Sequence, residues 1–435
     1  MTTCTGITYY EQGFFTSPPR ASGAISTTLD HMSPDAREKF AIGDRISVTI
    51  EKVAHGGHCI ARHNGAVFFV RHAIPGERCT IEVTSVGSSF NRADTVSVEI
   101  PSEHRVQPAC LAAHPNGCGG CDFQHIDSAY QRVLKSQVIA EQFSRIAKMV
   151  ISVEVEEVGD ALGWRTRATA VTNARGEIGF YQARSHNIAL ISDCPIMVPE
   201  MQFSEIAHTN VGAGKRIEIS LSSTGEKTLA VGDRAEKSSA RVVMGKDIAH
   251  YRVGNRILEV GYKSFWQSHK NAPALLAKVV GEFAQVKSGD RVLDVYGGVG
   301  LFTAALCEDV GPEGAIAIIE GSKSATADAR RNFAEMPHVS VHTGDVAQLL
   351  PRFNEADIVI LDPPREGAGS AVVQSSVRLR PRAIIYVSCD PASLARDTAT
   401  LMASGYTLEA LRAFDLFPMT HHIECVALFT PDKVS

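Results

Sequence analysis

Apolar positions change their spacing along the chain, and each spacing predicts a different kind of structure. Residues 1–38 are rich in Ser, Thr, Pro and Gly and show no sustained apolar period, which predicts a disordered tail. Short β-branched runs such as ISVTIEKV and AVFFV follow over 39–100, separated by turn signals such as HGG and HNG. Several short strands at this spacing predict a small closed β-barrel.

The size and rhythm of the predicted barrel are typical of the OB-fold, which often binds oligonucleotides. Eight Lys or Arg and seven Asp or Glu lie in 37–100, so charge does not identify a ligand. A barrel that serves only as a spacer or as an oligomer contact therefore stays open as an alternative.

The rest of the chain passes from a helix to strands and then to an alternation of both. A helix is predicted over 127–150 and a β-rich region over 151–260, and strands alternate with helices from about 287 onward. That alternation predicts a mostly parallel sheet covered by helices on both faces, with a ligand at the carboxyl ends of the strands. The helical period is carried by Val133, Gln137, Ile139, Phe143, Ile146 and Val150.

The expected architecture is an α/β fold with a barrel over 39–100, a β-rich central domain over 101–286 and a Rossmann-like domain over 287–435. A chain of 435 residues has room for two or three domains, and 44% hydrophobic with 21% charged residues excludes global disorder. No apolar run approaches the ~18 residues of a membrane span, and the N-terminus lacks the order of a signal peptide. We therefore expect a soluble cytoplasmic protein.

The charge balance neither indicates nor excludes a nucleic-acid partner. The net charge is -5, from 43 basic and 48 acidic residues, whereas affinity for phosphates depends on local patches. The clearest basic patch lies in 161–190, where four arginines accompany a single acid, Glu177. On charge alone, an ordinary solvated face is the favoured interpretation of this patch. Its arginines are Arg165, Arg167, Arg175 and Arg184.

A glycine-rich turn follows the first strand of the alternating region. The sequence VLDVYGGVG (292–300) runs from strand to turn to helix, and Glu320 ends the next strand. Glycines let the backbone approach a ligand, and an acid at that place can accept hydrogen bonds from a ribose diol. Thr303 stands where a dinucleotide fingerprint has its third glycine, which favours S-adenosylmethionine over NAD. Simple strand-end capping by Asp294 and Glu320 is the alternative.

Three further side chains stand where other strands begin or end. Asp362 follows the apolar run DIVIL and precedes two prolines, which predicts a rigid loop at the cleft. Cys389 lies beyond the apolar run of the next strand, so it is either a nucleophile or a buried filler. Glu424 begins the last apolar strand, where burial would raise its pKa and suit it to proton transfer. A paired strand-end carboxylate is the alternative for Glu424.

Four cysteines have spacings that suit a metal site. Cys110, Cys118 and Cys121 form a C-x7-C-x2-C pattern, and Cys194 supplies a distant fourth thiol. Four thiolates can bind either zinc or an iron–sulfur cluster, and the spacing alone does not decide between them.

Taken together, these residues resemble the RNA (uracil-5-)methyltransferase family, from about residue 40 to the end of the chain. The features shared with the 23S rRNA branch, more than with the tRNA branch, are the TRAM-like barrel and the four-cysteine pattern. The motifs that carry the resemblance are CGGCDFQH (118–125), SH (185–186) with DCP (193–195), FWQ (265–267), DVYGGVG (294–300), DPPR (362–365), SCDP (388–391) and Glu424.

The resemblance implies a role for each matching position. Cys389 would be the nucleophile and Glu424 the general base in methylation of uridine C5. The four cysteines would hold a [4Fe-4S] cluster, and the partner would be RNA, with rRNA favoured and tRNA as the alternative. A monomer is expected. The residues implied to contact S-adenosyl-L-methionine are Gln267, Tyr296, Glu320, Asp345 as a weaker candidate for its adenine, and Asp362.

Two other classes of protein compete with this interpretation. An RNA-binding or chaperone protein could keep a vestigial methyltransferase fold, and the presence of both Cys389 and Glu424 argues against it. An NAD oxidoreductase is disfavoured by the missing third glycine and by the SCDP motif.

Overall fold

The computed structural model describes residues 39–236 and 239–433, and the expected tail over 1–38 lies outside the described residues. The described chain forms two compact units. One comprises 39–54 and 58–103, and the other comprises 55–57 with 104–433.

The first unit contains the predicted barrel, closed by five strands in the order β1-β2-β3-β5-β4. Alternate residues of the first strand, Ile46, Val48 and Ile50, are buried in its core, as the period of two requires. The second strand was not anticipated, because its run HCIARH contains few β-branched residues. The barrel strands are β1 Arg45–Ala54, β2 His58–His63, β3 Ala66–Arg71, β4 Arg78–Ser85 and β5 Asn91–Ile100.

The second unit begins with the predicted helix, α1 (Ser128–Gln142), which continues into a π turn over Phe143–Ala147. Asp127 caps its first turn by accepting a hydrogen bond from the Tyr130 N–H at 2.9 Å. The predicted buried face is partly wrong, because Val133, Gln137 and Val150 are exposed, while Ile139 and Phe143 are buried as expected. The buried face instead comprises Gln131, Leu134, Lys135, Val138, Ile139 and Gln142.

The β-rich region forms a six-stranded antiparallel sheet in the order β12-β11-β10-β7-β8-β9, and a separate hairpin of β13 and β14. Alternate apolar residues of the sheet, such as Ala168, Ile217 and Ile219, pack into one core on one face. A short helix, α2 (Phe203–Ala207), packs Phe203 and Ile206 into that core. The strands are β7 Arg167–Thr172, β8 Ile178–Tyr181, β9 Ile188–Leu190, β10 Lys215–Leu221, β11 Lys227–Asp233, β12 Arg241–Met244, β13 Ile248–Val253 and β14 Arg256–Gly261.

The C-terminal part contains an eight-stranded sheet in the order β17-β16-β15-β18-β19-β21-β20-β6. Strands β15 to β19 are parallel, β21 is antiparallel to both β19 and β20, and β6 pairs in parallel with β20. Strands β6 and β20 were not anticipated. The strands are β6 Val155–Glu157, β15 Arg291–Val295, β16 Ala315–Glu320, β17 Val339–Thr343, β18 Ile358–Leu361, β19 Ala383–Ser388, β20 Tyr406–Asp415 and β21 Glu424–Pro431.

Helices cover both faces of this sheet, as predicted. Every residue of the central strands β18 and β19 is therefore buried. The expected border between residues 286 and 287 falls in the connection between the first of these helices and β15. None of the helices in the described ranges combines the length and apolar character that a membrane crossing requires. The helices are α3 Ala272–Ala284, α4 Leu301–Val310, α5 Lys323–Asn332, α6 Val346–Leu349, α7 Gly369–Arg378 and α8 Pro391–Met402.

Candidate active site

The sheet changes its winding direction between β15 and β18, and such a switch point is where an open α/β sheet binds its ligand. Asp294, the penultimate residue of β15, lies there and is fully buried. Its Oδ2 accepts hydrogen bonds from the Thr303 N–H at 3.1 Å and the Thr303 hydroxyl at 2.7 Å. Its Oδ1 has no hydrogen-bond partner among the described residues, and burial raises the pKa of Asp294 to about 6.

The glycine turn after Asp294 has a backbone shape that lets a ligand approach it closely. Tyr296 holds a left-handed backbone with φ +63°, an uncommon and costly conformation for a tyrosine. A Cβ on Gly300 would lie 2.3 Å from Cε2 of Phe333, so only glycine fits beneath the turn. A Cβ on Gly298, by contrast, would meet nothing within 4 Å. The turn therefore presents backbone to open space at the switch point.

Acidic side chains surround this open space at the ends of neighbouring strands. Glu320, the last residue of β16, accepts hydrogen bonds from the Gly298 N–H at 3.1 Å and the Ser322 N–H at 2.6 Å. Asp345, after β17, caps α6 by accepting from the Gln348 N–H at 3.0 Å. Asp362 follows β18, and burial, then the Asp294 and Glu320 carboxylates, raise its pKa to about 7. Crowded carboxylates of this kind favour a ligand that carries positive charge and hydroxyl donors.

Tyr296 belongs to the same group of residues. Burial, followed by the negative charges of Asp345, Asp397 and Glu320, raises the pKa of the Tyr296 hydroxyl to about 12. The structure therefore brings together four of the five residues implied to contact S-adenosyl-L-methionine. The fifth, Gln267, is buried in the segment between β14 and α3. The part of all five residues in cofactor binding stays a prediction.

Cys389 occupies the single position between the end of β19 and the N-cap of α8. Asp390 caps α8 by accepting a hydrogen bond from the Ser393 N–H at 2.7 Å, and Pro391 begins the helix. The SCDP motif thus holds the cysteine from both sides and leaves it half-buried. Burial, then the Glu424 and Asp362 carboxyls, raise the pKa of the Cys389 thiol to about 12, whereas the Arg365 guanidinium acts in the opposite direction.

Glu424 lies across the strand pair from Cys389. Ser388, the last residue of β19, is paired with Cys425 on β21, so Cys389 and Glu424 lie just beyond the last pair of this ladder. The Glu424 carboxyl is close enough to act on the Cys389 thiol electrostatically. Glu424 is 4% exposed, and burial, then the Asp362 carboxyl, raise its pKa well above the ordinary value. Nucleophile and base candidates are therefore neighbours.

Residues 416–423 connect β20 to β21 and lead directly to Glu424. Buried polar contacts hold this connection in place. The Lys135 ammonium donates to the Asp415 carboxylate at 2.6 Å and to the Phe417 carbonyl at 3.1 Å. The Gln131 side chain accepts from the Met419 N–H at 2.9 Å and donates to the Ile126 carbonyl at 2.9 Å. The two polar residues that displaced the predicted face of α1 therefore brace this connection.

The four candidate ligand cysteines line one cavity of about 40 Å³. Burial raises the pKa of Cys121 to about 12 and of Cys194 to about 11, and it raises that of Cys118 as well. Within the described ranges, no three His, Cys, Asp or Glu side chains are grouped as a ready site for one metal ion. The four thiols converge on a shared space, and Cys121 packs beside Trp164 and Ile196.

Two kinds of functional residue escaped the sequence analysis. Arg365 was quoted only as part of a motif, yet it is the positive charge that favours the Cys389 thiolate. Gln131 and Lys135 were not among the residues predicted to carry the helical period of α1. No sequence signal marks them, because their partners near Met419 and Asp415 lie more than 250 residues further along the chain.

A parallel sheet with a glycine turn and acids at its switch point defines the Rossmann-like methyltransferase class. The solved Pyrococcus abyssi tRNA (uracil-54, C5)-methyltransferase, in complex with S-adenosyl-L-homocysteine, has the same fold, with a TM-score of 0.70 at 21% identity. The match covers 88% of this chain and 99% of that one.

Sequence comparison identifies the family. The model for tRNA (Uracil-5-)-methyltransferase matches 347–431, the TRAM domain matches 39–96, and Protein-L-isoaspartate(D-aspartate) O-methyltransferase matches 235–360. An uncharacterized RNA methyltransferase of Streptomyces avermitilis is 39% identical, over 90% of this chain and 99% of the relative. The 23S rRNA (uracil(1939)-C(5))-methyltransferase RlmD of Shewanella woodyi is 30% identical, over 88% and 96%. The chain belongs to the RNA (uracil-5-)-methyltransferase family.

Proposed function

We propose that the protein transfers a methyl group from S-adenosyl-L-methionine to C5 of a uridine in RNA, through a covalent bond between Cys389 and C6 of the base. The observation that supports this proposal is that a half-buried thiol just beyond the end of β19 lies within electrostatic reach of the buried carboxyl that begins β21. Nucleophilic catalysis on a pyrimidine needs these two groups together.

The residues at the switch point suit S-adenosyl-L-methionine. Open space beside Gly298 leaves room for a ligand at the turn, and the unpartnered Oδ1 of Asp294 leaves an acceptor unused. Glu320, Asp345 and Asp362 would hold the polar and cationic parts of the molecule, together with Tyr296 and Gln267. When bound, the cofactor supplies an electrophilic methyl group on a positively charged sulfur. That positive charge would relieve the repulsion that raises the pKa of Asp362.

The first step uses Cys389. C5 of uracil is a weak nucleophile, so the thiolate adds to C6 and shifts the ring electron pair toward C5, which becomes enolate-like. The new bond joins Sγ of Cys389 to C6. Arg365 supports this step, because its charge opposes the carboxyls that raise the pKa of the thiol. C5 can then accept the methyl group.

Glu424 completes the reaction. After methylation, C5 carries both a methyl group and a hydrogen, and the Glu424 carboxylate accepts that proton. The C5–H electron pair re-forms the C5–C6 double bond as the Sγ–C6 bond breaks, so Cys389 leaves as a thiolate. Burial raises the pKa of Glu424 and makes its carboxylate a stronger base near neutral pH.

For the four cysteines we propose a [4Fe-4S] cluster held by Cys110, Cys118, Cys121 and Cys194. What supports it is the convergence of four thiols on one cavity. Thiolates crowded in a buried place need positive charge to be stable, and a cluster or a zinc ion supplies it. Its role would be to cross-link 110–121 with the segment that contains Cys194.

We infer that the substrate is 23S rRNA, in line with the activity named for the Shewanella relative, and that tRNA is the alternative, as named for the Pyrococcus structure. The target base must leave its stack to reach Cys389, so single-stranded or loop RNA is expected. We also infer that the protein acts as a monomer in the cytoplasm.

The test is to map 5-methyluridine in rRNA and tRNA from a strain that lacks the gene, and to restore the gene and its variants. Loss of one methylated uridine, restored by the wild type, supports the proposal and names the RNA. Cys389→Ala should restore nothing, and Glu424→Gln should accumulate a protein–RNA adduct that resists denaturation. An active Cys389→Ala enzyme would disprove the covalent mechanism.

A further inference from the structure

The six-stranded sheet has one apolar face and one polar face, and the polar face has no part in the site described above. On β10, Ile217 and Ile219 point into the core, so Arg216 and Glu218 point the other way. The register of β7 and β10 sets Thr169 opposite Glu218, on that same polar face. With the segment 262–268 as a wall, this face forms a cleft of about 580 Å³.

The cleft carries an excess of positive charge. Arg165, Arg167, Arg216 and Lys263 line it, and Glu218 is the single acid among its lining residues. Arg167 donates to the Ser264 carbonyl at 3.0 Å and thereby joins floor to wall, while Arg216 forms an ion pair with Glu218 at 3.0 Å. Arg216 and Lys263 come from places far from the basic patch seen in the sequence. The four cations and one acid leave a net excess of three positive charges in one concave surface, which suits a chain of phosphates.

The wall also offers an aromatic ring. Phe265 is 70% exposed, whereas its neighbour Trp266 is 4% exposed and packs on Tyr251, with ring centroids 4.8 Å apart. The buried tryptophan anchors the wall and leaves the phenylalanine facing outward at the cleft. An exposed ring beside cations is a stacking platform for an unpaired base.

We propose that this cleft binds an unpaired stretch of the substrate RNA outside the target uridine, with Arg216 and Lys263 on phosphates and Phe265 stacked on a base. The inference rests on the proposed function, which makes RNA the partner. It predicts that the affinity for RNA has two separate contributions. The phosphate contacts weaken as salt increases, and the base stacking does not.

The experiment measures the affinity of the full-length protein for a short labelled single-stranded RNA of mixed sequence, at several salt concentrations. Replacing both Arg216 and Lys263 with Ala should reduce the salt slope by about 1.4, since each single-strand phosphate contact contributes ~0.7. Phe265→Ala should weaken binding roughly tenfold and leave the salt slope unchanged. Glu218→Gln should tighten binding, because it removes the opposing charge.

The control uses Arg175 and Arg184, the other two arginines of the basic patch in 161–190. Arg175 is paired with Glu177 at 2.9 Å in an exposed turn, and neither it nor Arg184 lines the cleft. Replacing both with Ala removes the same charge and should leave affinity and slope as in the wild type. An equal loss in the control pair, or wild-type binding by the Arg216 and Lys263 variant, would overturn the proposal.

Three further outcomes distinguish failure of the cleft assignment from failure of the proposed function. If the variants lose as much affinity for a duplex of the same RNA, the cleft is a general polyanion surface and the assignment to an unpaired strand is wrong. If the wild type forms 5-methyluridine while the cleft variants bind normally, the cleft assignment alone fails. If the wild type methylates no RNA, the proposed function fails, and the affinity data still decide whether the cleft binds RNA.

Discussion

At the scale of single residues, the Cys389 thiol is accessible and yet held in its protonated form. A pKa raised to about 12 means that the thiolate fraction is small at neutral pH and increases with pH. The cause is burial together with the neighbouring carboxyls, so the resting site restrains its own nucleophile. Binding of cationic cofactor beside Asp362 would weaken that restraint.

This environment predicts the pH dependence of alkylation. In the protein without RNA or cofactor, the rate at which iodoacetamide modifies Cys389 should rise about tenfold per pH unit between pH 7 and 9, because each unit below the pKa multiplies the thiolate fraction by ten. Mass spectrometry of the Cys389 peptide measures this rate separately from that of the partly exposed Cys110. A rate that stays level across this range would show a thiol of low pKa and contradict the electrostatic description.

The sequence indicated Cys389 and Glu424 separately as candidates, but it could not show that they lie close together. That arrangement depends on β21 running antiparallel to β19 and inserting between β19 and β20, which is a property of long-range pairing. Acids after parallel strands are easier to place, because the carboxyl ends of such strands meet at one edge. Glu320 and Asp362 were predicted at that edge for this reason, whereas Asp345 was predicted only from the family resemblance.

At the scale of elements, α1 braces the connection 416–423, which leads to Glu424. The helix was predicted because its apolar residues recur at helical spacing, and its buried face was misjudged because two polar residues occupy it. Gln131 is fully buried, and Lys135 forms a buried ion pair with Asp415. Breaking such contacts costs more than losing an exposed one, since the remaining partner is left without water.

Gln131→Leu should therefore disturb the step that needs Glu424. The change leaves the Met419 N–H without its acceptor and should lower the free energy of unfolding by about 1–3 kcal/mol. We expect a raised share of covalent protein–RNA adduct under denaturing conditions, because displacement of the base slows adduct breakdown. Gln137→Leu makes the same exchange on the exposed face of the same helix and should behave as the wild type. Equal adduct levels in the two variants would show that α1 has no such influence.

At the scale of the whole molecule, overall composition conceals local function. A net charge of -5 coexists with a cleft in which four cations oppose one acid. Half of that cleft was visible as Arg165 and Arg167, and the other half was not, because Arg216 and Lys263 are brought in by strand pairing and by the wall after β14. The same limit applied to β6, a three-residue strand too short to leave a pattern.

The cavity lined by the four cysteines predicts the metal content and the thermal stability of the protein. Anaerobically purified protein should be brown and contain iron and sulfide, and Cys194→Ser should lose the iron and lower Tm by several degrees, because 110–121 is no longer tied to a segment some seventy residues further on. Cys307→Ala removes a buried thiol outside the cavity and should keep its iron. Colourless wild-type protein with one zinc per chain would show that the cluster assignment is wrong.

Strand β10 has apolar side chains on one face and polar side chains on the other, and this limits the sequence changes that the protein can tolerate. One residue inserted within Lys215–Leu221 would shift every later side chain to the opposite face, so that an isoleucine would enter the cleft while Glu218 entered the core. Substitutions can change the affinity for a polynucleotide one position at a time, whereas a length change in this strand would damage both the stability of the sheet and the binding of RNA.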